Sequence, residues 1–222
     1  MRINYKGHPQ ITINDGDTIT LGTNSIKVYN DWIRGIRDAD EIIELYSDSF
    51  DLIDTNHEID WVGDVLVTKD VLKQYSTKVL NQVIKDIMAQ QRDQINEKIN
   101  SLFNTVSDQL FLTDLPLDVS YDFDLKKVLK FTGMHFDNSI LNPYDIIKTI
   151  LQIHEKCSIK KCLVLTNVAH YLTAKQLQEL KEIVQVKDQR LILIEFTEME
   201  CQEFYGSGDF YYIDQDFVDW YK

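Results

Sequence analysis

Lys78, Lys85 and Arg92 are spaced seven residues apart, so on one continuous helix they would share a stripe that can meet a row of phosphates. The same spacing also fits a solvated helix face, because Asp86, Asp93 and Glu97 are close enough in sequence to pair with it. Further on, "DLPLDVSYDFD" places Asp114, Asp118, Asp122 and Asp124 in an irregular segment, and carboxylates converging there suit the flexible oxygen shell of calcium. The segment is not an EF-hand, since it lacks that loop's central glycine and closing glutamate. A solvated, helix-capping acidic stretch is the alternative reading of the same four residues.

Nucleotide chemistry is suggested by layout and denied by residue type. "KKCLVLTNVAHYLTAKQLQEL", residues 160–180, reads as a short buried strand, a turn, and an amphipathic helix with Thr173 as N-cap. In a phosphate-loop NTPase an acid at the end of such a strand holds magnesium, and here that place is taken by Asn167. The turn after "DVLVT" should read G-x-x-x-x-G-K-[ST] and instead reads "KDVLKQYSTK", with no glycine between Gly63 and Gly133. An NTPase-like head without its catalytic parts is the expectation. "YGSGD" around Ser207 lacks the spacing of a nucleophile elbow and is read as a turn. The five histidines form no metal-binding spacing, and Cys157, Cys162 and Cys201 are read as free thiols in a reducing compartment.

These residues need elements to position them. "MRINYKG" and "DTITL" predict short strands, and Ile26, Trp32, Ile33 and Ile36 predict a helix after them. "DVLVT" predicts a buried strand at 64–68. From residue 76 to about 111, apolar residues recur at helical intervals without Gly or Pro, giving one helix of about 54 Å or two with a break. A shorter helix capped near Asp122 or Asp124 stops at Gly133, and another begins near Pro143. Strands "RLILIEF" and "FYYID" complete an alternation that implies a mainly parallel sheet. The expected fold class is α/β: a head of residues 1–70 and 140–222, lacking a phosphate-binding loop, with a helical leg at 71–139 inserted between.

With 222 residues and 44% hydrophobic content the chain can bury a core, and no stretch approaches the roughly 20 apolar residues of a membrane span. A cytoplasmic protein without a membrane partner is expected. The net charge of −13 disfavours nucleic acid unless cations are gathered on one surface. The acids are indeed segregated: residues 38–70 hold eleven against one base, and 195–222 hold eight against one. Residues 126–161 carry seven bases against three acids.

"KKCLVLTNVAHYLTAKQLQEL", with "LILIEF", "YYIDQDF" and "DIIKTILQIHEK", resembles the Csn-two family, the adaptation proteins of type II-A CRISPR systems. The likeness is clearest over the final 80 or so residues. It implies a non-hydrolysing α/β head with an inserted helical leg, four chains closed into a ring, and double-stranded DNA ends held in a lysine-lined hole. It further implies calcium ions bound by acidic residues, and a non-enzymatic part in spacer acquisition beside the integrase pair and the effector nuclease. Carried to this sequence, DNA contacts fall first to Lys78, Lys85 and Arg92, then to Lys126, Lys127 and Lys130. Calcium falls to Asp118, Asp122 and Asp124, with Asp114 beside them. A metal-dependent nuclease and a protein-interaction scaffold without direct DNA binding are the competing readings.

Overall fold

The computed structural model describes every residue except 114, 118, 121, 138–141, 207–209 and 222. The chain opens with β1 (Arg2–Tyr5), β2 (Ile11–Thr12), β3 (Thr18–Thr23), α1 (Ile26–Arg37), β4 (Ile43–Tyr46), β5 (Leu52–Ile53), α2 (Thr55–Glu58) and β6 (Ile59–Gly63). Then come α3 (Ser76–Asp86), α4 (Ala89–Phe111) and α5 (Leu125–Phe131). The chain returns through α6 (Pro143–Lys156), β7 (Cys162–Thr166), α7 (Ala174–Val186), β8 (Leu191–Phe196), α8 (Gln202–Tyr205), β9 (Phe210–Ile213) and β10 (Asp219–Tyr221). Two compact units result, one of Met1–Leu72 with Asn138–Lys222 and the other of Lys73–Asp137.

In the first unit a six-stranded sheet runs in the order β10-β9-β3-β8-β7-β6 and is parallel except where β10 meets β9. This is the mixed α/β architecture, with a largely parallel sheet, that the strand and helix alternation predicts. A smaller antiparallel sheet, β2-β1-β4-β5, stands apart from it. Helix α1 lies between the two sheets, touching β4 of the small one and β3, β6 and β8 of the large one. Val28, Trp32 and Ile36 fill that space with Leu45, Val164 and Ile194. Gly35 lets α1 approach β4 closely, since a Cβ there would stand 2.6 Å from Ile43 Cγ1. Ile26 keeps the helical spacing but sits at the first turn, 72% exposed. Elsewhere in this unit α6 and α7 pack together and bury Ile147, Ile150, Leu177 and Leu180.

Local chemistry explains most element ends. Asn142 caps α6 by accepting from Asp145 N, and Thr173 caps α7 by accepting from Gln176 N while Gln176 Oε1 accepts from Thr173 N. "DVLVT" is a correction: the buried strand lies one step earlier, at β6, and residues 64–68 form a turn. Gly63 adopts φ +72° at the end of β6. Asp64 then accepts from Leu66 N through Oδ1, and from Thr68 N and Oγ1 through its carbonyl. Val65 is buried, but Leu66 and Val67 are exposed. The apolar run was β-prone in composition, yet an Asp at its head outcompeted strand pairing. β10 is an addition, an antiparallel strand beyond "FYYID".

In the second unit the long helical stretch is two helices. The chain turns extended at Ile87 (ψ 116°) and Met88 (ψ 157°), where Gln91 Oε1 accepts from Met88 N and starts α4 afresh. Helix α3 packs against α5, with Leu80 and Leu125 buried. Helix α4, 23 residues and about 34 Å long, buries none of its side chains. Its partly covered apolar residues Ile99 and Phe103, with the more exposed Val106, face Val128 and Phe131 across a groove of about 630 Å³.

Candidate nucleic-acid interface

Parallel sheets bind ligands outside the carboxyl ends of their strands, so that end of the first unit is where a nucleotide site would lie. β3, first of the parallel strands, leads into α1 through Asn24 and Ser25 alone, and this turn, not the one after residue 68, is the place for a phosphate-binding loop. Two residues cannot wrap a phosphate in backbone amides. Here Ser25 N donates to Thr23 Oγ1 (2.9 Å), and Ser25 Oγ caps α1 at Val28 N. Asn167, at the end of β7, takes a left-handed conformation (φ 56°), and its side-chain oxygen accepts from Tyr29 Oη at 3.2 Å.

At the end of β8, Glu195 is only 2% exposed and is bound through both oxygens, accepting from Val168 N (2.7 Å) and Tyr205 Oη (2.9 Å). Burial pushes its pKa up to about 7, against the hydrogen bonds that favour the charged form. The protein's own groups close this end of the sheet. Sequence reading saw the acid in "LILIEF" but had no signal for its enclosure, which depends on Tyr205 ten residues later.

The cations expected at phosphates all lie on exposed helix surface in the second unit. Lys78 and Lys85 share α3, two turns apart, about 10 Å along its axis. Arg92 falls beyond the break, on α4, so the three do not form the stripe of one continuous helix. Its guanidinium is engaged: Nη2 donates to the Ile84 carbonyl at 2.8 Å, capping the last turn of α3. Lys126, Lys127 and Lys130 sit on α5, which packs on α3, so the structure brings these lysines into one helical layer with Lys78 and Lys85.

Of the four aspartates, Asp114 and Asp118 lie outside the described residues. Asp122 and Asp124 line one end of the groove between α4 and α5, together with Ser120 and Lys127. Asp124 is the N-cap of α5, with Oδ1 accepting from Lys126 N (2.9 Å) and Lys127 N (3.4 Å), which leaves Oδ2 for another partner. Among the described residues no three His, Cys, Asp or Glu side chains gather closely enough to hold a metal. Two carboxylates and a hydroxyl fit the donor chemistry of calcium but fill only part of its shell of six to eight oxygens.

The sequence matches the model of the CRISPR-associated protein (Cas_Csn2) family over residues 38–217, which is most of the chain. The chain belongs to the Csn2 family. Its fold is also similar to the crystal structure of Stu0660 of Streptococcus thermophilus, with a TM-score of 0.56 at 13% identity, over 100% of this chain and 76% of that one. No curated protein matches the sequence. Csn2 membership makes the protein CRISPR-associated and draws attention to surface chemistry away from the closed end of the sheet. Sequence reasoning missed the role of Arg92 in capping α3, because periodicity allowed one helix or two with a break but did not place the break at Ile87 and Met88. Among the described residues no helix is long and apolar enough to cross a membrane.

Proposed function

We propose that this Csn2 protein is a non-enzymatic, calcium-dependent binder of double-stranded DNA ends, acting in spacer acquisition as a ring-shaped homotetramer. The family match carries the reading. The exposed lysines of α3 and α5 support it, since Lys78, Lys85, Lys126, Lys127 and Lys130 present cations that read backbone phosphates and not base sequence. The integrase pair and the effector nuclease of the same systems are its partners in this reading. Calcium is held by Asp114, Asp118, Asp122 and Asp124 in this reading, and of these Asp122 and Asp124 lie next to the lysines that open α5.

Charge gives that metal a second purpose. Residues 73–137 hold eight Lys or Arg and nine Asp or Glu, a net of −1, so one bound calcium would turn the unit net positive. Calcium would thereby remove repulsion beside the phosphate contacts.

The test compares linear duplex DNA with the same sequence as a closed circle, by gel shift, each with calcium and with chelator. Binding that requires both free ends and calcium is expected. Equal binding to circles would replace the ring with a side-on surface, and absence of binding under all four conditions would remove DNA as the ligand.

A further inference from the structure

The far edge of the large sheet carries an aromatic surface that the DNA-binding reading does not use. β10 ends the strand order and pairs only with β9, so its other backbone edge has no strand beside it among the described residues. Phe217 (42%), Val218 (47%), Trp220 (46%) and Tyr221 (66%) are exposed along this edge, with Trp220 and Tyr221 on opposite faces of the sheet as neighbours on one strand. These side chains are held in place. Trp220 Nε1 donates to Asp214 Oδ2 at 2.9 Å, and the Tyr221 ring meets Tyr211 edge-on at 6.3 Å.

The surroundings are acidic. Residues 195–222 hold eight acids and one base, and of the nearby carboxylates Asp214 and Asp219 are engaged inside the fold, Asp219 by His8 and Tyr211. Asp216 is exposed on the turn between β9 and β10. The chain also shows what these rings accept: Lys27 places Nζ 5.1 Å from the centroid of Phe217. Rings that take a cation, a negative surround and an open strand edge together select one kind of occupant.

We infer that β10 is a docking strand for an extended lysine- or arginine-rich segment of a partner protein. The segment adds beside β10 through main-chain hydrogen bonds, and its basic side chains reach Tyr221 on one face of the sheet, Trp220 on the other, and Asp216 at the turn. Three paired residues are a short edge, so cation contacts carry much of the affinity and binding weakens with salt.

Fluorescence anisotropy on the full chain, without DNA, tests this with a labelled twelve-residue peptide of alternating lysine and valine. A peptide of alternating glutamate and valine serves as control. The lysine peptide should bind, the glutamate peptide should not, and Phe217→Ser with Trp220→Ser should weaken binding at least tenfold. Because losing Trp220 also loosens β10, Asp216→Lys is the second variant, changing only an exposed turn, with Asp15→Lys as the same charge change on the exposed turn before β3, at the opposite end of the parallel strands. Asp216→Lys should weaken binding several-fold and Asp15→Lys should not. Equal effects of the two charge changes, or unchanged binding in the double variant, would overturn the docking strand. Neither outcome bears on DNA binding, which is read separately.

Discussion

A buried carboxyl with its pKa near neutrality makes Glu195 the residue whose chemistry is most exposed to pH. Burial raises the folded value to about 7, above the ordinary 4.5, so the folded chain holds a proton that the unfolded chain releases in that interval. The associated stability is present below about 4.5 and is lost as pH rises through about 7. At about 1.4 kcal/mol per unit, the difference amounts to about 3 kcal/mol at most. Glu195→Gln keeps an acceptor for Val168 N and never ionises, and the Tyr205 hydroxyl can rotate to accept from the amide. Urea denaturation at pH 5.5 and 8 should therefore show wild type losing stability toward pH 8 while the variant changes less and is the more stable of the two at pH 8. Equal pH dependence in both would mean that Glu195 is already ionised at pH 5.5.

At the scale of elements, capping was legible and pairing competition was not. Thr173 announces α7, Asp122 or Asp124 announces α5 and Pro143 announces α6, because a helix start is decided within three or four residues. "DVLVT" misleads because its propensity says strand while Gly63 and Asp64 turn the chain, and β10 escapes notice because an edge strand needs its neighbour to exist. The break at Ile87 and Met88 is a similar case. Nothing in the periodicity of the apolar residues marks it, and Arg92 bridges it from the α4 side to the Ile84 carbonyl. Arg92→Ala should accordingly raise hydrogen exchange at the amides of the last turn of α3, at a cost of about 1 kcal/mol, with Lys85→Ala leaving those amides unchanged. If both variants left the protection intact, the bond to Ile84 would have no energetic role. The consequence for DNA is practical: any effect of Arg92→Ala on binding mixes a lost cation with a loosened helix.

For the whole molecule, the net charge of −13 misdescribes what an approaching polyanion meets. All but one unit of it belongs to the first unit, where the acidic segments 38–70 and 195–222 lie, and the second unit is close to neutral with five of its seven lysines on α3 and α5. Counting by segment made this partition legible in the sequence. The metal shell was not, because its oxygens must converge through turns that spacing does not specify. Charge that is segregated in this way makes binding depend on local cations, and counterion release measures them one at a time. Lys78→Ala and Lys85→Ala are the clean probes, since neither lysine carries the capping duty of Arg92. Each should weaken binding equally across unrelated duplex sequences and reduce the log-log salt slope by about 0.9 for every phosphate left without its cation. The double variant should lose about twice as much slope if both lysines touch phosphate. An unchanged slope with weakened affinity would assign them to the assembly of the ring, while unchanged slope and affinity would move the DNA surface to α5.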